Sequence, residues 1–321
     1  MTKHPDLHAI FDQVVECHTA GLPQNESVIW TYLKPADIAQ EMAQKGHAVS
    51  RYIVKQLLES KSYKTRSMLK VNELKEVEQR NEQFEKIAHL RKVFAEQGQP
   101  ILSIDTKKKE MLGMFQRKGQ SYTQQSIETY DHDFLSFSQG QVVPHGIYDV
   151  LDNTGYISLG TNKETSEFVC DNISHYWKEE FQFKYQDSHT MLLLCDGGGA
   201  NSCLHYIFKY DLVKMANQLK MNILVAHYPA YCSKYNPIEH RLFSQITHTW
   251  DGKPLINIEF VKELTKRTKT KTGLEVKVRI NDKTYLTKRQ APQEFKDNIH
   301  QYCIFDDKIP QWNYLIKFQD F

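Results

Sequence analysis

Two aspartates and one glutamate stand where carboxylates can do chemistry. Asp105 ends the short apolar stretch "ILSID", and Asp196 ends the wholly apolar run "TMLLLCD". Glu239 lies in "NPIEHRLF", soon after a third apolar run, "NILVAHYP". In open α/β sheets, ligands gather outside the carboxyl ends of the strands. Acids that follow buried strands are therefore candidates for one shared site.

Carboxylates that share a site repel one another, and a divalent cation relieves that repulsion. Their oxygen atoms suit Mg²⁺ or Mn²⁺, hard ions that also bind phosphates. Two such ions can activate an attacking hydroxyl and stabilise the leaving oxygen of a phosphodiester. Asp105, Asp196 and Glu239 are thus a candidate site for two Mg²⁺ or Mn²⁺ ions and for phosphoryl transfer.

Glu239 also has a structural interpretation. Asn236 followed by Pro237, with Glu239 three positions after the asparagine, is typical of a helix that begins with a capping box. Judged on "NPIE" alone, capping is favoured. The same geometry directs a first-turn carboxylate back over the preceding loop, so a metal-binding role stays open beside it.

The composition excludes several classes of protein. The chain has 321 residues, 40% of them hydrophobic, which suits two or three domains with buried cores. No apolar run approaches the ~20 residues of a membrane span, and the N-terminus lacks the apolar core of a secretory signal. Six scattered cysteines without a Cys-x-x-Cys pair favour reduced thiols. We expect a cytoplasmic protein with no membrane partner.

Clustered lysines indicate a partner more clearly than the net charge of +2 does. Basic stretches lie directly after Asp105 and within residues 60–72 and 262–279. Each alone is typical of solvated surface, but together they favour a path for phosphates. Six residues near the proposed carboxylates are predicted to contact phosphate: Lys107, Lys108, Lys109, Lys234, His240 and Arg241.

Residues 34–63 have the pattern of a helix-turn-helix, with Pro35 in a first turn, a break at Gly46 and Ser50 as the cap of a second helix. In DNA-binding proteins of this kind, the second helix enters the major groove with its N-terminal residues leading. The predicted DNA contacts are Ser50, Arg51, Tyr52 and Lys55. The segment alone fits a plain helical hairpin equally well, so both readings stay open.

The elements that must position the acids begin at Pro100. From there the order is strand, two hairpin strands, helix, strand, helix, strand and helix, which predicts a mixed sheet with helices on its faces. The predicted organisation is a helix-turn-helix region at 1–72, a connector helix at 73–99, an α/β catalytic domain at 100–260 and a basic C-terminal extension at 261–321.

Several motifs in order resemble the Rhodopirellula-type DDE transposases of bacterial insertion sequences. They are "SIDTKKKEMLG", "YDVLDNTGYISLG", "LLLCDGGGANS" and "HYPAYCSKYNPIEHRLFSQITHTWDGKPL", and the likeness covers roughly residues 5–290. The resemblance implies an α/β fold, an RNase-H-like mixed sheet flanked by helices and preceded by an all-α helix-turn-helix domain. It also implies that Asp105, Asp196 and Glu239 are the catalytic triad that binds two divalent metals.

The implied function is a DNA transposase that cuts element ends and transfers 3′-hydroxyls to target DNA. The implied partners are double-stranded DNA (terminal inverted repeats and target DNA) and further copies of the chain in a homo-oligomer, at the bacterial nucleoid. An alternative is a non-catalytic or truncated remnant that only binds element ends, because the chain begins near the second DNA-binding segment that such proteins usually carry. A stand-alone RNase-H-like nuclease is a third possibility.

Overall fold

The computed structural model describes residues 6–22, 25–66 and 78–319. Contacts divide the chain into two units, residues 1–75 and 76–321. The end of the predicted basic stretch, from Ser67 to residue 72, lies outside the described residues, as do residues 73–77 of the predicted connector helix.

The first unit contains the two predicted helices and one pair of strands that the all-α prediction omits. Its elements are α1 Asp6–Glu16, β1 Thr19–Leu22, β2 Asn25–Thr31, α2 Pro35–Gln44 and α3 Arg51–Ser60. Strands β1 and β2 are antiparallel. The helices share a small core of buried apolar side chains: Phe11, Val14, Val15, Ile38, Met42, Val54 and Leu57. As predicted, Ser50 caps α3, accepting the backbone N–H of Ile53 at 3.4 Å.

The second unit is an α/β fold around one sheet. Its helices are α4 Arg80–Glu96, α5 Ser166–Tyr176, α6 Gln182–Lys184, α7 Tyr206–Leu219, α8 Ser244–Trp250, α9 Ile258–Lys266, α10 Gln293–Asp297 and α11 Ile299–Tyr302. Its strands are β3 Ile101–Thr106, β4 Glu110–Met111, β5 Gln141–Asp149, β6 Thr154–Gly160, β7 Thr190–Cys195, β8 Asn222–His227, β9 Glu275–Asn281, β10 Cys303–Phe305 and β11 Asn313–Ile316. Two π-helical turns, Trp177–Phe181 and Glu239–Phe243, precede α6 and α8.

The sheet is mixed and has the strand order β10-β11-β8-β7-β3-β5-β6-β9, with β4 paired to β5 outside this path. Strands β3, β7 and β8 run parallel, whereas β5 is antiparallel to both β3 and β6. This is a mixed sheet flanked by helices, as the family resemblance implies. It puts the predicted strands "ILSIDT" and "TMLLLC" side by side at the centre of the fold.

Apolar cores cover both faces of the sheet, which explains why β7 is apolar at almost every position. One face packs mainly against α5 and α7, through residues such as Leu193, Ile173 and Leu212. The other face packs against α4, α8 and α9 in two clusters. Alternate residues of each central strand therefore belong to different cores.

The last sixty residues belong to this sheet in part. Strand β9 pairs in parallel with β6, and β11 joins β10 to β8. Residues 261–321 are predicted to form a basic extension, and these strands are not part of that prediction. All six cysteines are free thiols, as predicted. Within the described ranges, no helix combines the length and the apolar character needed to cross a bilayer.

Candidate active site

Asp105 and Asp196 lie at the same edge of the sheet. Strands β3 and β7 are parallel neighbours, with Ser103 opposite Leu194. Two residues beyond this pair, the same register brings Asp105, after Ile104 of β3, opposite Asp196, the residue that follows β7. Two apolar strands that each end in an acid, once paired in parallel, therefore bring both acids to one place, as the sequence pattern predicts.

Glu239 is the first residue of the π-helical turn Glu239–Phe243. This turn packs directly on β5, because Gly146 has no side chain to keep it away. A Cβ atom at Gly146 would lie 2.6 Å from Phe243 Cε1 and 2.8 Å from Ile238 Cδ1. Gly146 is also the partner of Asp105 in the β3–β5 pairing. The glycine thus lets the turn that carries Glu239 approach the strand that carries Asp105.

Glu239 does not form the capping box that "NPIE" suggests. The backbone N–H of Asn236 donates to the carbonyl oxygen of Ser233 at 2.8 Å, so it is not given to the Glu239 carboxylate. The side chain of Asn236 is buried and bonds to β3 instead. The carboxylate of Glu239 therefore takes no part in capping and can interact with the carboxylates at the ends of β3 and β7.

The electrostatics of the three acids show that they share one neighbourhood. Burial, followed by repulsion from Asp196 and Glu239, raises the pKa of Asp105 to about 8. A side-chain hydrogen bond with Glu239 acts in the same direction. Burial is also the main cause that raises the pKa of Asp196, with repulsion from Glu164 and Glu239 adding to it. The fold thus holds carboxylates together at a free-energy cost.

Two further residues act on Asp196, and neither is among the site residues predicted from the sequence. Glu164, two residues before the start of α5, adds negative charge. His227 is fully buried at the end of β8 and donates Nδ1–H to the carbonyl oxygen of Asp196 at 2.9 Å, while its Nε2 lies 3.0 Å from the hydroxyl of Tyr314. Burial lowers the pKa of His227 to about 4, so the ring is neutral. The only sequence signal for His227 is its position at the end of an apolar run.

The donor chemistry of the three acids fits hard divalent cations. Asp105, Asp196 and Glu239 offer only carboxylate oxygens, which Mg²⁺ and Mn²⁺ prefer. These acids repel one another, and a bound cation would reduce that repulsion. Within residues 6–22, 25–66 and 78–319, however, no group of three His, Cys, Asp or Glu side chains is already arranged to hold one metal ion. The acids are neighbours, but they do not form a closed set of ligands.

The predicted phosphate contacts fall into two groups. Lys107 is half-buried near Glu239, with Nζ 5.1 Å from the centre of the Trp250 ring, and burial lowers its pKa despite attraction from nearby acids. The other five side chains are exposed: Lys108, Lys109, Lys234, His240 and Arg241. In the first unit, the predicted contacts Ser50, Arg51, Tyr52 and Lys55 are exposed as well, at the first turns of α3.

The glycines after Asp196 form a tight turn between strand and helix. The backbone N–H of Gly198 lowers the pKa of Asp196 and so opposes the effect of burial. Gly199 has a φ of +58° and begins a short 3₁₀ turn, Gly199–Asn201. A residue with a side chain is strained at that φ, so the turn favours glycine there. The backbone of this loop therefore favours the charged form of the Asp196 carboxylate.

Comparisons with known proteins agree with the sequence motifs. A family profile described as "Rhodopirellula transposase DDE domain" matches residues 10–318. No curated protein sequence matches the chain.

Solved structures of Mos1 transposase are similar at a distance. The Mos1 paired-end complex with the left transposon end matches with 14% identity and a TM-score of 0.43, covering 80% of this chain and 68% of that chain. The Mos1 strand transfer complex gives 16% and 0.45 over the same shares. The mariner Mos1 paired-end complex with Mg gives 18% and 0.47, over 70% and 64%. The family profile spans nearly the whole sequence, and the chain belongs to the Rhodopirellula transposase DDE domain family.

Proposed function

We propose that the protein is a DNA transposase that cuts the ends of its element and transfers the resulting 3′-hydroxyls to target DNA. The observation that carries this proposal is the meeting of Asp105 and Asp196 at neighbouring strand ends, with Glu239 close enough to hydrogen-bond to Asp105. Membership of a transposase family supports the choice of DNA as substrate.

In this proposal, Asp105, Asp196 and Glu239 hold two Mg²⁺ or Mn²⁺ ions. When bound, these ions supply activation of the attacking oxygen and stabilisation of the leaving oxygen. Asp105 keeps a proton at neutral pH while no cation is present, because its pKa is about 8. Asp105 would have to give up this proton to hold a cation through its carboxylate.

The remaining residues would bind and orient DNA. Lys107 is half-buried beside Glu239, so its ammonium group can hold a phosphate next to the acids. The exposed side chains Lys108, Lys109, Lys234, His240 and Arg241 extend this positive surface. In the first unit, Ser50, Arg51, Tyr52 and Lys55 of α3 would read the terminal inverted repeats from the major groove.

The proposed reaction joins two element ends to one target, so it requires at least two copies of the chain on DNA. The 3′-hydroxyl of an element end attacks a target phosphodiester, and the new P–O bond forms as the bond from that phosphorus to the 3′-oxygen of the target strand breaks. The displaced oxygen leaves as a 3′-hydroxyl, and no covalent intermediate with a protein side chain forms. The chain would carry out this reaction in the bacterial cytoplasm, where its DNA substrate lies.

The test is cleavage of labelled duplexes that carry an element end, with Mg²⁺ or Mn²⁺ added. Asp196→Asn should lower the cleavage rate by roughly a thousandfold, since several kcal/mol of transition-state stabilisation depend on the ligand set. Asp187→Asn removes an exposed carboxylate that precedes β7, at the opposite end of this strand from Asp196, and should leave the rate unchanged. Gel shifts should show that both variants still bind element ends.

Three outcomes would contradict the proposal. Full activity of the Asp196→Asn variant would show that the proposed active site is wrong. Binding of element ends by the wild-type chain without any cleavage in Mg²⁺ or Mn²⁺ would indicate the end-binding remnant. Equal cleavage of random duplexes would indicate a stand-alone nuclease.

A further inference from the structure

A buried pair of polar side chains joins strand β3 to the segment that leads into Glu239. Ser103 lies on β3, and Asn236 lies 133 residues later in the chain. Both residues are fully buried, with 0% exposure. The Ser103 hydroxyl donates to Asn236 Oδ1 at 2.5 Å, and Asn236 Nδ2 donates to the carbonyl oxygen of Ile104 at 3.0 Å. We refer to these contacts as the Ser103–Asn236 link.

The link also provides a hydrogen-bond acceptor for the backbone at the start of the turn that carries Glu239. The backbone N–H of Ile238 donates to Ser103 Oγ at 3.0 Å, and that of Glu239 donates to the backbone carbonyl oxygen of Asn236 at 3.1 Å. The first N–H groups of a helical segment need partners outside the helix. Here one partner is a hydroxyl from the neighbouring strand, so the turn is anchored to β3 rather than capped by its own side chains.

The two ends of the link stand at fixed spacings from two of the proposed catalytic acids. Ser103 is two residues before Asp105 on the same strand, and Asn236 is three residues before Glu239. Asp105 and Glu239 repel each other when both are charged. A connection that resists this repulsion must join the two backbones close to the acids, and the Ser103–Asn236 link does so.

We propose that Ser103 and Asn236 are positioning residues, which hold the carboxylates of Asp105 and Glu239 close enough to bind divalent cations together. This inference rests on the proposed function. It adds that the asparagine of "NPIE" acts on Asp105 through β3 and does not serve as a helix cap. Without the link, the turn is free to move away from the strand end, and cation affinity falls.

The test measures Mn²⁺ binding to the full chain by electron paramagnetic resonance of the free ion, without DNA. The variants are Ser103→Ala, Asn236→Ala and the double variant. Each single variant should raise the Mn²⁺ dissociation constant at least tenfold. Because both residues belong to one link, the double variant should be hardly worse than either single variant. The cation concentration for half-maximal end cleavage should shift in parallel.

A matched control separates positioning from loss of stability. Asn172 has 0% exposure, and its Oδ1 accepts a hydrogen bond from Asn281 Nδ2 at 2.8 Å, on the far side of β6 from β3. Asn172→Ala should lower the melting temperature to a similar extent while leaving Mn²⁺ affinity unchanged. Ser103→Thr keeps the hydroxyl and should retain most of the affinity lost in Ser103→Ala, which guards against misfolding as the cause.

The outcomes distinguish this inference from the proposed function. If Asn236→Ala and Ser103→Ala lose stability but bind Mn²⁺ as tightly as Asn172→Ala does, the link is only structural and the inference is wrong. In that case, a loss of Mn²⁺ binding in Asp105→Asn would leave the proposed function standing. If Asp105→Asn also binds Mn²⁺ normally, the proposed site itself is wrong.

Discussion

Asp105 is held in a place that disfavours its charged form. Burial and two neighbouring acids raise its pKa to about 8, from an ordinary value of 3.8. Between these two pH values the folded chain binds a proton at Asp105 that the unfolded chain does not. The free energy of unfolding therefore falls as pH rises through this window and levels off above about pH 8. Such a cost is typical of sites that need a poised group.

Replacing Asp105 by asparagine should stabilise the protein when divalent cations are absent. In EDTA, the melting temperature of Asp105→Asn should exceed that of the wild type, and the gap should widen from about pH 4 to about pH 8. Mn²⁺ should raise the melting temperature of the wild type much more than that of the variant, because ligands stabilise the state that binds them. Thermal melts with Asp187→Asn as the control measure this. A gap that does not change with pH would contradict it.

His145 should make the protein sensitive to acid. This residue of β5 is fully buried, and neither ring nitrogen has a hydrogen-bond partner within the described part of the chain. Burial lowers its pKa from 6.5 to about 3. Between these values the unfolded chain binds a proton that the folded chain does not, so stability falls as pH falls from about 6.5 towards 3.

The His145→Gln variant should lose this part of the pH dependence. One proton corresponds to roughly a tenfold change in the folding constant per pH unit. In the wild type this positive slope opposes the negative slope that Asp105 contributes over the same pH range. Denaturant unfolding between pH 4 and pH 6 should therefore give a slope of stability against pH that is less positive for His145→Gln than for the wild type, by about one proton. The exposed His248 offers the control substitution His248→Gln, which should keep the wild-type slope. Equal slopes in all three proteins would exclude His145 as the cause.

At the scale of elements, two glycines let the segment after Glu239 lie on the sheet. Gly146 of β5 faces Phe243 and Ile238, and Gly155 of β6 faces Leu242 in the same way. Neither glycine is needed for an unusual backbone angle, since neither is among the residues with positive φ. Their role is to leave space, so that the turn Glu239–Phe243 packs beside Asp105.

Gly146→Ala should push this turn away from β3. The added Cβ would meet Phe243 Cε1 at 2.6 Å, and overpacking of this kind costs about 1–3 kcal/mol of stability. We expect end cleavage to fall at least tenfold at temperatures where the variant is folded. Gly160→Ala is the control, because its Cβ would meet the Phe168 ring at 2.9 Å, also in a crowded site. It should lose stability but keep its cleavage rate. Equal cleavage rates in both variants would contradict the expectation.

At the scale of the whole molecule, the sequence predicts what depends on local pattern. Apolar runs that end in Asp105 and Asp196 predict buried strands, and the sheet indeed brings their ends together. The Ser103–Asn236 link could not be predicted, because its residues are 133 positions apart and meet only in the folded chain. Glu164 gives no local signal either, since an acid before a helix is typical of any exposed helix start.

The C-terminal strands escaped prediction for another reason. Strands β10 and β11 have three and four residues, too few for a period of two to stand out. Strand β9, "EVKVRIN", carries charges along a partly exposed edge and reads as basic surface. Strands β9 and β11 depend on the earlier strands β6 and β8 for their pairing, and β10 pairs with β11.

The measurement that tests the central claim most directly is the location of bound Mn²⁺ in crystals of the full chain, from anomalous diffraction near the manganese absorption edge. The claim is that Asp105, Asp196 and Glu239 hold two cations between them. We predict two anomalous peaks, each in contact with carboxylates of this set. Peaks held by other side chains, with the three carboxylates bare at a saturating Mn²⁺ concentration, would contradict it.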